Sequence, residues 1–273
     1  MQILLLCVNY NCADTITNML DTISMHTRSR IEVVIVDNSG ELDATSSCCV
    51  LPGFKRCHLV SPGKNLGYFG GAHAGYLARD TENDADITMI VNPDILFSDD
   101  FFDVLSRQRD LWPADTGVVF PAVYDTHTKR DSNPFIRLRP SRIYLNTRIF
   151  FFGGGLRHQI WLWLYRQKAK RRKAAPMVER STEAVTEIYA GHGSLLMFLP
   201  AYFNKGASLA FESFLYGEEL FVAEMCREAG LKCYHDTSLT TKHVSHVVTS
   251  TLSDEQRRKW QLDSLRYIKN RFS

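Results

Sequence analysis

Asn92-Pro93-Asp94 follows the apolar run Ile87-Thr88-Met89-Ile90-Val91 and puts a carboxylate where a buried strand reaches the surface. In an open α/β sheet, ligands bind outside the carboxyl ends of the strands. A hard divalent cation that holds a nucleotide diphosphate needs only one or two protein carboxylates there. Taken alone, Asn-Pro-Asp also serves as a plain strand-ending turn, because Asn favours turn initiation and Pro cannot continue a central strand. Two more apolar runs stop at polar, ligand-capable tips: residues 31–36 lead into Asp37-Asn38-Ser39-Gly40, and residues 3–8 into Asn9-Tyr10-Asn11.

Three other stretches carry chemistry. Ser61-Pro62-Gly63-Lys64-Asn65-Leu66-Gly67-Tyr68-Phe69-Gly70-Gly71 is a glycine-rich loop between a strand and a helix. Its glycines allow close backbone approach to a ligand, and the helix behind it aims N–H groups at anions. It is neither a Walker loop nor G-x-G-x-x-G. Glu218 and Glu219, in Tyr216-Gly217-Glu218-Glu219-Leu220, stand at the start of a helix. Carboxylates there commonly complement the helix dipole; beside a sugar site, one of them could take the proton from an attacking hydroxyl. His243 and His246 follow the run Ser238-Leu239-Thr240-Thr241-Lys242, and either imidazole could complete a manganese or magnesium site begun by Asp94.

The elements that must position these groups alternate. Strands are expected at residues 3–8, 31–36, 57–60, 87–91 and 117–120, and helices at 13–26, 70–79 and 99–107. Strands that are apolar on successive residues are buried on both faces, as in a parallel sheet covered by helices, and strand–helix alternation predicts right-handed crossovers and a doubly wound sheet. Ser98 before Asp99 and Asp100 reads as an N-cap. Residues 124–187 break the pattern: Arg and Lys recur throughout, Gly153-Gly154-Gly155 forms a hinge, and no strand pattern is evident, as in an inserted segment. Within it, Ile160-Trp161-Leu162-Trp163-Leu164-Tyr165 precedes Arg166, Lys168, Lys170, Arg171, Arg172 and Lys173 without an acid among them. Aromatic and aliphatic residues beside such a cluster suit an anionic membrane interface; the alternative is a surface helix whose aromatics pack on the core. Residues 253–272 form one closing helix, with Ser253 and Gln256 as its capping box and Trp260, Leu265 and Ile268 as its docking face.

The 273 residues, 45% hydrophobic and 23% charged, have the composition of a globular protein with a substantial core. The formal charge of +2 is too small to imply nucleic-acid binding. Seven cysteines, including the adjacent Cys48-Cys49 and lacking any C-x-x-C framework, argue for reduced thiols in a cytosolic setting and against zinc. The N-terminal run lacks the basic region and cleavage site of a secretory signal, and no apolar stretch approaches the roughly 20 residues that span a bilayer.

In order and spacing, Val8-Asn9-Tyr10-Asn11, Val36-Asp37-Asn38-Ser39, Asn65-Leu66-Gly67-Tyr68-Phe69-Gly70-Gly71, Val91-Asn92-Pro93-Asp94, His192-Gly193-Ser194, Tyr216-Gly217-Glu218-Glu219 and the late histidine resemble the family 2 glycosyltransferases. Within that family the chain is most similar to the rhamnosyltransferase-like branch that builds bacterial O-antigen and capsule. The resemblance covers most of the chain and implies the glycosyltransferase A (GT-A) fold: a Rossmann-like, mostly parallel sheet flanked by helices, here with a basic insertion and a C-terminal helical extension. The implied division is a catalytic domain over residues 1–250, comprising a nucleotide-binding half (1–121), the insertion (122–187) and an acceptor half (188–250), closed by a helix over 251–273.

The resemblance also implies roles. Asp37 reads the nucleotide base with Asn38 beside it; Asn9, Asn11, Asn65, Gly67, Gly70, Gly71, Asn92, Gly193 and Ser194 contact the nucleotide sugar. Asp94 is the metal ligand of the family's D-x-D motif, with Asn92 replacing its first acid, and His243 matches the diphosphate-side histidine better than His246. Glu219, the second acid of the family's pair, is the favoured base, with Glu218 as the alternative. The implied activity is inverting transfer of a sugar from a UDP- or dTDP-linked donor, with Mn2+ or Mg2+, to a lipid-linked glycan at the inner face of the cytoplasmic membrane, which residues 160–173 would contact. A sugar nucleotidyltransferase would need a basic phosphate loop that Asn9-Tyr10-Asn11 does not provide. A non-catalytic nucleotide-sugar-binding scaffold would not require carboxylates at both Asp94 and Glu219.

Overall fold

The computed structural model describes residues 1–26, 30–79, 85–173, 183–244 and 253–272. Among the described residues nine strands form one sheet: β1 (Gln2–Asn9), β2 (Arg30–Asp37), β3 (Arg56–Val60), β4 (Ile87–Val91), β5 (Ile95–Phe97), β6 (Thr116–Asp125), β7 (Val185–Ile188), β8 (Leu195–Phe198) and β9 (Lys232–His243). Their order is β3-β2-β1-β4-β8-β6-β9-β5, with β7 also paired to β9. β1, β2, β3 and β4 are mutually parallel, and β6 and β9 share their direction across the reversed β8; only β5, β7 and β8 run the other way. The sheet is therefore mostly parallel, as expected.

Alternating side chains along the central strands divide the core in two. Ile3, Leu5, Cys7, Val33, Ile35, Met89 and Val91 face one layer. There they meet Ile16, Met19, Leu20 and Ile23 of α1 (Ala13–His26) and Phe101, Phe102 and Leu105 of α3 (Phe101–Gln108). Leu4, Leu6, Val8, Val34, Val36 and Ile90 face the other layer, against α2 (Tyr68–Leu77) and α7 (Glu218–Glu228). A Cβ on Gly71 or Gly75 would stand 3.0 Å from Val8 Cγ1 or 2.8 Å from Val36 Cγ2, so glycine lets α2 lie close on the sheet.

Several expected boundaries move. α2 begins at Tyr68 rather than residue 70, so Gly70 and Gly71 lie inside the helix. α3 begins at Phe101 with Asp100 as its N-cap residue, and Ser98 donates its hydroxyl hydrogen to Asp100 Oδ1 at 2.9 Å instead of capping the helix. β6 extends to Asp125, and the three-residue β5 is an addition to the expected strands. The insertion is largely helical: α4 (Arg142–Phe152) and α5 (Gly155–Lys173) meet at the triple glycine, and the short α6 (Pro200–Asn204) follows β8. α8 (Asp254–Phe272) has the expected capping box, with Gln256 N–H donating to Ser253 Oγ and Ser253 N–H to Gln256 Oε1, both at 3.2 Å. Its Leu262 and Leu265 pack on Leu145 and Phe152 of α4, and Trp260 lies against Phe214 with ring centroids 4.8 Å apart. None of the described helices is long and apolar enough to cross a membrane.

Candidate active site

β1, β2 and β4 are parallel neighbours, so Asn9, Asp37 and the 92–94 turn emerge at one sheet edge. β8 is antiparallel to β4, which brings the residues before it, His192-Gly193-Ser194, to that same edge. Asn92 N–H donates to the Ser194 carbonyl at 2.8 Å and joins the two segments.

Asp94 meets His243. Oδ2 and Nε2 are 3.1 Å apart, and the two side chains are 12% and 6% exposed. The cause is local pairing: β5 aligns Ile95 with His243, and Val244 N–H donates to the Asp94 carbonyl at 3.0 Å. His192 lies beside them, its ring centroid 5.8 Å from that of His243. Its Nδ1 is 2.9 Å from Ser194 Oγ, and its N–H donates to Asn133 Oδ1 at 2.7 Å. His246 falls outside the described residues.

Glu218 and Glu219 open α7 behind Gly217, which takes the left-handed φ of +87°. A Cβ on Gly193 would stand 3.1 Å from an Oε1 atom of each, so the tight 193 backbone is what both carboxyl groups face. Burial pushes the Glu218 carboxyl well above the usual carboxylate range, and the neighbouring Glu219 charge adds to it. Burial raises Glu219 too, but the N–H groups of Glu219 and Gly193 and the positive charge of Arg148 oppose the rise.

Tyr68 ties these groups together. Its hydroxyl donates to the Gly193 carbonyl at 2.9 Å. The phenol is held well above its ordinary range by burial first, then by the charges of Glu218, Cys7, Asp94 and Glu219.

The remaining tips form a hydrogen-bonded cradle. The Asn9 side-chain amide reaches Asp37 Oδ1 and Ser39 Oγ at 3.0 Å and Glu41 Oε1 at 2.9 Å. Asp37 also accepts from Ser39 N–H at 3.0 Å and, through Oδ2, from Leu42 N–H at 2.8 Å. Burial works against its charge, but these donors outweigh it and hold the carboxyl below its usual range. Asn38 fastens the glycine-rich loop to β2, donating to the Gly67 carbonyl at 2.9 Å and accepting from Leu66 N–H at 3.2 Å. Asn65 Oδ1 accepts from Gly67 N–H at 2.9 Å. The exposed Asn11, at φ +54°, donates its N–H to Ser39 Oγ at 3.1 Å.

Asp94 and His243 can hold a divalent ion as a partial site. Oδ2 and Nε2, 3.1 Å apart, are the oxygen and imidazole donor types that a manganese- or magnesium-type site accepts. Among the described residues no group of three or more His, Cys, Asp or Glu side chains converges as a self-sufficient cation site.

Sequence reasoning gave no role to Tyr68, Asn133 or Arg148. Tyr68 sits within the Asn65–Gly71 motif, so its position was available; Asn133 and Arg148 belong to the segment without strand signals, and no local pattern marks them.

No family model matches the sequence, and no curated protein matches it. Solved structures do. The mannosyltransferase PcManGT from Pyrobaculum calidifontis, in complex with GDP-Man and Mn2+, is 16% identical with a TM-score of 0.52 over 94% of this chain. GalNAc-T7 with UDP, GalNAc and Mn2+ is 10% identical with a TM-score of 0.59 over 97%. TarS of S. aureus, residues 1–349 in complex with UDP-GlcNAc, is 10% identical with a TM-score of 0.51 over 98%. The chain spans 60%, 50% and 72% of those three structures respectively. The fold is that of the GT-A glycosyltransferases.

Proposed function

We propose that this chain is an inverting glycosyltransferase that moves a sugar from a nucleoside diphosphate to a hydroxyl of a lipid-linked glycan, in the assembly of a bacterial surface polysaccharide. The observation that carries the reading is the meeting of Asp94 with His243 at one sheet edge, with His192 beside His243 and the adjoining Gly193 facing Glu218 and Glu219. That puts a cation-competent pair and a candidate base on the two sides of the His192-Gly193 segment. The neighbours' complexes with GDP-Man and with UDP-GlcNAc support a donor of this class.

Glu219 takes the proton of the acceptor hydroxyl. The acceptor oxygen bonds to the anomeric carbon as the bond from that carbon to the diphosphate oxygen breaks, and the nucleoside diphosphate leaves from the opposite face. Glu219 suits the base role better than Glu218 because Gly193 N–H and Arg148 favour its charged form. Asp94 and His243 would hold Mn2+ or Mg2+, which supplies Lewis-acid neutralisation of charge on the departing diphosphate. Asn9, Asp37 and Asn38 shape the nucleotide end: their side chains already bond one another and the 65–71 loop, so they present a rigid wall.

A thermal-shift panel of nucleotide sugars, with and without Mn2+, tests this reading, since a ligand that binds only the folded state raises apparent stability. We expect a metal-dependent rise with a UDP- or dTDP-sugar, lost in Asp94→Ala. No rise with any donor, or a metal-dependent rise retained in Asp94→Ala, counts against it.

A further inference from the structure

From Ser132 to Val178, 47 residues contain 11 Lys and Arg and no Asp or Glu, while the rest of the chain sets the other 21 basic residues against all 30 acidic ones. A chain of formal charge +2 therefore carries one strongly cationic segment, and α4 and α5 hold nine of its eleven basic residues. The same two helices turn apolar side chains outward. On α5, Leu156, Ile160, Trp163 and Leu164 are 79%, 46%, 60% and 45% exposed, at the spacing of a single helical face. On α4, Ile143 and Phe150 are 78% and 57% exposed, again on one face. The opposite sides are already satisfied: Phe152 packs with Leu262 and Leu265, and Trp161 lies against Phe151 with centroids 5.3 Å apart. The outward apolar face is thus not an unfilled part of the core, and such patches mark sites of interaction.

We propose that the outer face of α4 and α5 docks on an anionic phospholipid surface. Apolar side chains alone would suit a protein partner equally well. The absence of any acid across the whole segment selects a negatively charged plane, where each cation adds attraction and the aromatic and aliphatic side chains enter the headgroup boundary. The inner face of α4 packs on Leu262 and Leu265 of α8, and Ser264 Oγ of α8 would meet a Cβ on Gly217 at 2.0 Å, so α4 rests on the helix that abuts the start of α7 and its Glu218 and Glu219. A surface so placed presents the site to hydroxyl acceptors held at the membrane. The docking itself is independent of any transferase activity.

The test is co-sedimentation of the full chain with vesicles of phosphatidylcholine alone or mixed with phosphatidylglycerol, without nucleotide sugar. The protein should pellet with the mixed vesicles, remain in solution with phosphatidylcholine, and be released by salt. Leu156→Ser/Ile160→Ser/Trp163→Ser changes exposed positions only; its melting temperature should match the parent while vesicle binding is lost. Lys168→Gln/Lys170→Gln/Arg171→Gln should weaken partitioning roughly a hundredfold. Supernatant protein with both vesicles, equal binding to both, or a concentration-dependent dimer abolished by the serine variant would overturn the proposal, the last by giving the face to a second copy.

Discussion

Glu218 and Glu219 make opposite predictions although they are adjacent. A carboxyl group whose folded-state value is raised contributes stability below its unfolded value and loses it as pH rises through the raised one. Burial, and then the Glu219 charge, raise Glu218 well above the usual carboxylate range. Glu218→Gln should therefore raise the melting temperature at neutral pH, with the difference from the parent vanishing in acid; melting curves at both pH values decide it. Glu219 has to be ionised to accept a proton, so turnover should fall on acidification through a value above the ordinary carboxylate range. Glu219→Gln should lower turnover about 10²–10⁴-fold with nucleotide-sugar binding retained, as turnover assays and thermal shift would read. The acidic pair itself was legible, because Gly217-Glu218-Glu219 announces a helix start. What separates its members was not: Gly193 N–H and Arg148 reach Glu219 from other elements, and no spacing in the sequence encodes that approach.

The elements that carry these groups are held by two features a short window does not display. Gly67 takes φ +75°, and a Cβ there would stand 1.9 Å from the Phe214 carbonyl oxygen. Gly67→Ala should cost on the order of 1–3 kcal/mol from backbone strain alone, with more from displacing Phe214, in urea unfolding. Glu224, 2% exposed, accepts from Arg139 Nε and Nη2 at 2.6 and 3.0 Å, Tyr189 hydroxyl at 2.6 Å and Arg227 Nε at 2.8 Å. It clamps α7 to the segment that leads into His192-Gly193-Ser194 and to the start of the insertion. In Glu224→Ala the half-exposed Arg139 and Arg227 turn to water while the Tyr189 hydroxyl loses its acceptor, and about 1–3 kcal/mol of unfolding free energy should be lost. The long periodic helices and apolar strands were readable because their pattern repeats over many residues. β5 was not: three residues are too few for a period, and it exists because β9 offers it an edge. The helices of the insertion were obscured by their apolar outer faces, which blur the usual division between a buried and a solvent side.

Across the chain all seven cysteines are free thiols, as their number and spacing implied. Burial pushes the Cys48 thiol up to about 12 and those of Cys12 and Cys57 up to about 11, so they stay protonated and unreactive in the folded protein. Alkylation at neutral pH should be slow before denaturation and should reach seven adducts after it, read by intact mass. The sequence by itself determined the layered α/β class, the polar tips of β1, β2 and β4, and the order of the candidate motifs, because strand and helix periods and turn residues act over neighbours along the chain. Tertiary structure alone decided that the reversed β8 lies between β4 and β6, that β5 pairs with the end of β9, and hence that Asp94 touches His243 while Gly193 faces Glu218 and Glu219. Those contacts join segments distant in sequence, and strand order and packing between layers are set by the burial of whole faces against one another, which no local pattern specifies.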